Sequence, residues 1–104
     1  MAPRPLESRA QFITRLRSQA RTLGKQPIGV GQHHFSHAVV KEEDVFRLRR
    51  LVVNKEKYEA HMKEHRSYMP EHAEMLSEPT GAIVLEAPTL EELITQLEAA
   101  RWPL

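Results

Sequence analysis

The chain has 104 residues, 40% of them hydrophobic and 28% charged, a composition that suits one globular domain with a modest core. It contains no cysteine, which excludes disulfides, thiolate metal sites and cysteine nucleophiles. The N-terminus lacks the apolar segment of a signal peptide, and no run approaches the roughly 18 apolar residues of a membrane helix. We therefore expect one soluble, cytoplasmic α+β domain over residues 1–104, without membrane contact.

The formal net charge of +1 hides an uneven distribution of charge along the chain. Residues 1–53 carry ten Lys or Arg against four acids, a net charge of +6, whereas residues 54–104 carry five against ten, a net charge of −5. Either the two halves attract each other, within a chain or across a dimer, or the basic half binds an anionic partner such as nucleic acid. We favour mutual attraction, because no basic run is dense or interleaved with aromatic residues.

The first predicted element is a helix over residues 5–23. Pro5 suits a first helical turn, and Gly24 suits the position just after a helix. Residues 25–31 hold one proline and two glycines, which indicates a break in regular structure. Residues 1–24 thus form an N-terminal helical addition that need not belong to the core. The apolar residues that share one face of this helix are Phe12, Ile13, Leu16, Ala20 and Leu23.

A β-hairpin is predicted next. Residues 34–40 and 45–53 are rich in β-branched and aromatic residues, and the polar residues 41–44 separate them. The alternative is a helix through residues 42–53, which would place Val45, Leu48 and Val52 on one side. We favour strands because Asn54, which follows directly, is a good N-cap for the next helix.

An amphipathic helix is predicted over residues 55–76, with a kink at Pro70, which cannot donate a backbone hydrogen bond. On a helical wheel, three histidines follow one border of its apolar stripe, and a tyrosine lies just beyond them. Imidazoles at the edge of a buried face can meet a ligand, a metal ion or a reacting proton. The stripe consists of Tyr58, Met62, Met69 and Leu76, and the polar border consists of His61, His65, His72 and Tyr68.

The last predicted elements are a strand and a helix. Residues 81–87, GAIVLEA, form a nearly continuous apolar run, which is typical of a strand covered on both faces. Thr89 and Glu92 form a capping box that opens the helix. The order α, β-hairpin, α, β, α predicts an α+β fold. The apolar side of the last helix consists of Leu90, Leu93, Ile94 and Leu97.

Residues 46–103 resemble the small dimeric α+β-barrel domains, in particular the YciI-like (YCII-related) proteins. The similarity lies in a first strand (FRLRRLVV), in a histidine-containing helix with the run HRSYM, and in the strand–helix signature GAIVLEAPTLEELITQLEAARWP. The resemblance implies a ferredoxin-like half that pairs with a second copy and closes a barrel around a pocket for a small organic ligand. The N-terminal helix and the hairpin would be additions, and His61 or His65 would match the pocket histidine.

The residues themselves suggest general acid–base chemistry on the predicted histidine helix. His65 with Tyr68 or Glu64 would make an acid–base pair. The candidate catalytic residues are His61, His65 and Tyr68, and the candidate ligand-binding residues are His72, Tyr58 and Met62.

The H-x-x-x-H spacing of the helix also permits a divalent metal ion, with His33, His34 and His37 as further ligands. This spacing is common by chance, so we predict no metal site. Nucleotide-binding and serine-hydrolase motifs are absent from the sequence, and it identifies no cofactor.

Two functional hypotheses follow. In the first, a homodimer binds a small organic ligand in a histidine-lined pocket, and histidine acid–base catalysis is an option within it. In the second, a non-enzymatic regulator or inhibitor binds nucleic acid or an acidic protein through the basic N-terminal half. Both favour a homodimer, because a sheet of about three strands leaves edges that need covering. The residues that would bind the anionic partner are Arg15, Arg17, Arg21, Arg47, Arg49 and Arg50.

Overall fold

A computed structural model describes residues 7–30, 36–65 and 76–104 of the chain. These residues form an α+β structure, which confirms the predicted class. The elements in chain order are α1 (Arg9–Ser18), a 3-10 turn (Ala20–Thr22), β1 (Ile28–Val30), β2 (His37–Glu42), β3 (Val45–Arg50), β4 (Val52–Val53), α2 (Lys55–His65), β5 (Ser77–Glu78), β6 (Ile83–Ala87) and α3 (Leu90–Ala99).

The described strands form two antiparallel sheets. The larger has the order β1-β2-β3-β6, and β4 pairs with β5 in a small sheet of two strands. β3 and β6 therefore lie side by side, although α2 lies between them in the chain. This order does not confirm the ferredoxin-like arrangement.

The predicted hairpin is confirmed, and the alternative helix over residues 42–53 is wrong. β2 and β3 pair from His37 opposite Arg50 to Glu42 opposite Val45. The turn between them contains Glu43 with φ of 57°. The predicted cap after the strands is also present, since the Asn54 side-chain oxygen accepts a hydrogen bond from the Lys57 backbone N–H at 3.0 Å.

The helix α1 packs on the inner face of the large sheet together with α3. Phe12, Ile13 and Leu16 of its predicted apolar face are buried on α1. The helix ends at Ser18, earlier than predicted, so that Ala20 lies in the 3-10 turn and the buried Leu23 follows that turn. The helix begins at Arg9, later than predicted, because Ser8 caps it. The Ser8 hydroxyl accepts a hydrogen bond from the Gln11 backbone, and the Gln11 side chain accepts one from the Ser8 backbone. The sequence alone did not require this helix to belong to the core. In the structure, α1 contributes to the core.

Thr89 caps the helix α3 as predicted, although the structure has only the Thr89 half of the predicted capping box. The Thr89 hydroxyl accepts a hydrogen bond from the Glu92 backbone N–H at 3.2 Å. On its predicted apolar side, Leu93, Ile94 and Leu97 are buried, and Leu90 is partly buried against the core. The central core consists of Phe12, Ile13, Leu16, Leu23, Ile28, Val30, Val39, Leu48, Ala87, Leu93, Ile94 and Leu97.

Two strand predictions differ from the structure. The segment predicted only as a break contains β1, in which Ile28 and Val30 are each 2% exposed and pair with β2. Among the described strands, β6 lies at one edge of the larger sheet, and its apolar run is not covered on both faces as predicted. Its residues Ile83 and Val84 are 44% and 43% exposed.

The predicted histidine helix is described from Lys55 to His65 as α2. Tyr68, Met69, Pro70 and His72 lie outside the described residues. None of the helices in the described part of the chain is long and apolar enough to cross a membrane.

Candidate functional site

The side chains predicted to bind ligand lie along one side of α2. Tyr58, His61 and Met62 are half-buried, whereas His65, one turn further on, is exposed. The ring centroids of His61 and His65 are 4.5 Å apart, with an angle of 39° between the rings. The remaining α2 side chains are exposed. The helix therefore presents two adjacent imidazoles beside a phenol and a thioether.

This side of α2 takes no part in the central core. The described helix has no fully buried residue, and none of its residues belongs to the core cluster. The described side chains on this side of α2 therefore lie outside the central core cluster. Among the described residues, no group of three His, Asp or Glu side chains is placed to hold a metal ion.

The arginines of the basic half are mostly engaged by carboxylates of the same chain. Arg15 forms a bidentate ion pair with Glu7, with nitrogen–oxygen distances of 2.9 and 3.0 Å, and also donates to the Gly29 carbonyl at 2.7 Å. Arg17 lies 3.2 Å from the Glu91 carboxylate on α3. Arg15 and Arg17, two of the three arginines of α1, therefore already have acidic partners.

The outer face of the sheet, which α1 and α3 leave open, carries a second group of ion pairs. Arg47 lies 2.5 Å from Glu86 on β6 and 3.6 Å from Glu42 on β2, and Arg49 also pairs with Glu42. The hydrogen bond from Arg49 lowers the pKa of the Glu42 carboxyl. These bonds join β2, β3 and β6 and leave the group with two positive and two negative charges.

Four of the six arginines proposed for an anionic partner thus have acidic partners within the chain. Arg17–Glu91 and Arg47–Glu86 connect the basic half to the acidic half, as the interpretation of mutual attraction expects. Such pairs are weak where water reaches them, but they reduce the positive field that a phosphate backbone would meet. Arg21 and Arg50 form no ion pair with any described carboxylate.

The sequence did not single out the Ser36–His37 pair. His37 is 6% exposed and is the one buried polar residue in the described part of the chain. Its Nδ1 lies 2.7 Å from the Ser36 hydroxyl oxygen. Burial, together with the positive charge of Arg50, lowers the pKa of His37. The alternation of inward and outward side chains along β2 could have predicted the burial of His37. His37 stands two residues before Val39 and therefore lies on the same inward face of the strand.

Comparisons of the chain with protein-family models, with curated proteins and with solved structures find no match. The YciI-like resemblance therefore stays a prediction.

Proposed function

We propose that this protein is a small ligand-binding α+β protein that holds an organic molecule against the half-buried side of α2. The ligand would contact Tyr58, His61, Met62 and His65, with Tyr68 and His72 as the further residues predicted from the sequence. The observation that carries the proposal is the His61–His65 ring pair on a stripe that the core does not use. Imidazoles both donate and accept hydrogen bonds, and the neighbouring phenol and thioether add apolar contact.

The proposal includes a homodimer of the dimeric α+β-barrel kind, in which a second copy completes the pocket. The position of β6 at one edge of the described sheet, with Ile83 and Val84 exposed, supports it. An apolar edge strand is normally protected by a partner or by charge. A two-fold pair is the commonest such assembly. The ferredoxin-like half and acid–base catalysis by His61, His65 or Tyr68 are the finer parts of the same proposal.

Ligand-dependent thermal unfolding tests the pocket. A panel of small carboxylates and aromatic compounds should contain a ligand that raises the melting temperature, since a ligand at 100 times its Kd stabilises a protein by about 2.7 kcal/mol. His61→Gln and His65→Gln should each remove most of that rise. Lys63→Gln, on the same helix and exposed, is the matched control and should keep it.

A panel without any stabilising compound, or one whose effect survives both histidine substitutions, would contradict the proposed pocket. Sedimentation tests the assembly separately: a dimer is expected at micromolar concentration, and a 12.0 kDa monomer would rule out the barrel. The anionic-partner hypothesis has no comparable support, because four of its six arginines already bind carboxylates of the chain.

A further inference from the structure

A second candidate site lies away from α2, where β3 passes into β4. It is an open groove of about 480 Å³, lined by Ser36, Arg50, Leu51, Val52, Gly81 and Ala82. Pockets for small molecules are typically about 300–1,000 Å³, so this groove has room for a ligand of several heavy atoms. No α2 residue lines it, and the inference does not depend on the proposed α2 site.

Backbone hydrogen bonds hold the three segments of the groove together. The Leu51 N–H donates to the Ser36 carbonyl at 2.9 Å, and the Gly81 N–H donates to the Arg50 carbonyl at 2.9 Å. Gly81 also allows close approach of the segments, because a Cβ there would lie 2.8 Å from the Arg50 carbonyl oxygen. The groove is therefore formed in advance, which lowers the entropic cost of binding.

Arg50 supplies an uncompensated positive charge at this groove. Within residues 7–30, 36–65 and 76–104, no carboxylate lies within 4.0 Å of its guanidinium group, whereas Arg47 and Arg49 on the same strand are both paired. The Arg50 side chain is exposed. A guanidinium group presents two parallel N–H donors, which match the two oxygens of a carboxylate.

Ser36 supplies a hydroxyl group that lies beside a buried imidazole. Its hydroxyl oxygen is 2.7 Å from Nδ1 of the buried His37. When the Nδ1–H of neutral His37 donates to that oxygen, the hydroxyl hydrogen of Ser36 is left to donate to a ligand. His37 is thus a positioning residue behind the groove and adds no charge to it while it is neutral.

We propose that this groove binds a small organic monocarboxylate, with its carboxylate on Arg50 and Ser36 and its apolar body against Leu51, Val52 and Ala82. A monoanion is favoured because the single unpaired guanidinium balances one negative charge. A phosphate dianion would need a second cation, which the described lining residues lack.

Titration of the full-length ¹⁵N-labelled protein with benzoate tests this assignment. Saturable amide shifts are expected at Ser36, Arg50, Leu51 and Gly81. Benzamide, which has the same ring and no charge, should bind at least about tenfold more weakly, because hydrogen bonds to charged groups are the stronger ones. Inorganic phosphate should also bind more weakly than benzoate.

Arg50→Gln should weaken benzoate binding at least about tenfold, and Ser36→Ala should weaken it severalfold. The matched control is Arg21→Gln, which removes the same charge from an exposed arginine outside the groove and should leave the affinity within about twofold. The dispersion of the amide spectrum shows whether each variant is folded. If Arg50→Gln does not fold, the comparison with benzamide and the Ser36→Ala variant still test whether the groove recognises a carboxylate.

Three outcomes would overturn the proposal. The first is the absence of saturable shifts at the groove amides. The second is equal weakening by Arg21→Gln and Arg50→Gln, which would show diffuse attraction to positive charge. The third is binding of benzamide or phosphate as tightly as benzoate, which would exclude recognition of a monocarboxylate.

Discussion

At the scale of single residues, His37 links burial to the pH dependence of stability. Burial and the nearby Arg50 lower the pKa of His37 below its ordinary value of 6.5. As the pH falls through 6.5, the unfolded chain therefore takes up a proton before the folded chain does. The free energy of unfolding should decrease over this range and level off once folded His37 is also protonated.

Urea unfolding at several pH values between 7.5 and 5 measures this contribution. His37→Gln should flatten the fall in unfolding free energy, even if the variant is less stable overall. His65→Gln, which changes an exposed histidine and leaves His37 in place, is the matched control. Identical slopes for the wild type and His37→Gln would show that His37 contributes nothing to it.

The arginines of β3 show which side-chain properties can be predicted from the sequence and which cannot. Alternation in β3 predicts that Arg47 and Arg49 share the face opposite to Leu48, and the structure agrees. Their partner Glu42 comes from the neighbouring strand, and Glu86 comes from a strand far along the chain. Side-chain direction is a local property, whereas ion pairing depends on which strands become neighbours.

At the scale of secondary-structure elements, the cap of α3 is a local device whose energy can be measured. The Thr89 hydroxyl satisfies the otherwise unpaired Glu92 N–H. Thr89→Ala should therefore lower the free energy of unfolding by about 1 kcal/mol, within a usual range of about 0.5–2 kcal/mol.

Thr95→Ala provides the matched control on the same helix. Thr95 is exposed, and its hydroxyl donates to the Glu91 carbonyl within the helix. Because alanine has the higher helix propensity, this substitution should be neutral or slightly stabilising. Chemical denaturation of the two variants compares them, and equal losses of stability would contradict a specific role for the cap.

Elements that are marked by capping or turn residues in the local sequence could be predicted. Elements that depend on pairing with a strand far away in the sequence could not. Thr89, Asn54 and the polar turn between β2 and β3 each give a signal within a few residues. β1 is only three residues long and contains Gly29, so its sequence resembles a break in regular structure. Only its pairing with β2 in the fold shows that it is a strand. The apolar run of β6 does not reveal that, among the described strands, only β3 lies beside it.

At the scale of the whole molecule, contacts between the two ends of the described chain close the core. Trp102 stacks on Phe12 with ring centroids 5.9 Å apart, and its indole N–H donates to the Glu7 carbonyl at 2.9 Å. Arg9 donates to the Ala100 carbonyl at 2.5 Å. α1 therefore packs against residues that lie more than eighty positions away in sequence.

Substitution of Trp102 separates the two contributions of its side chain. Trp102→Ala should lower the free energy of unfolding by about 2–4 kcal/mol, because it removes both the aromatic packing and the hydrogen bond. Trp102→Phe keeps an aromatic ring against Phe12 and removes only the hydrogen bond. It should therefore lower the free energy of unfolding by only about 0.5–1.5 kcal/mol. Equal losses for the two variants would show that the ring packing contributes little.

The packing of α1 against α3 also affects how the chain behaves while the ribosome synthesises it. Phe12 and Leu16 share their core cluster with Leu93 and Leu97, which are synthesised about eighty residues later. Until α3 has been synthesised, the nascent chain therefore carries uncovered apolar side chains, a state that favours aggregation or capture by chaperones. Ribosome-bound intermediates that stop before α3 should accordingly be far more sensitive to protease than the released protein.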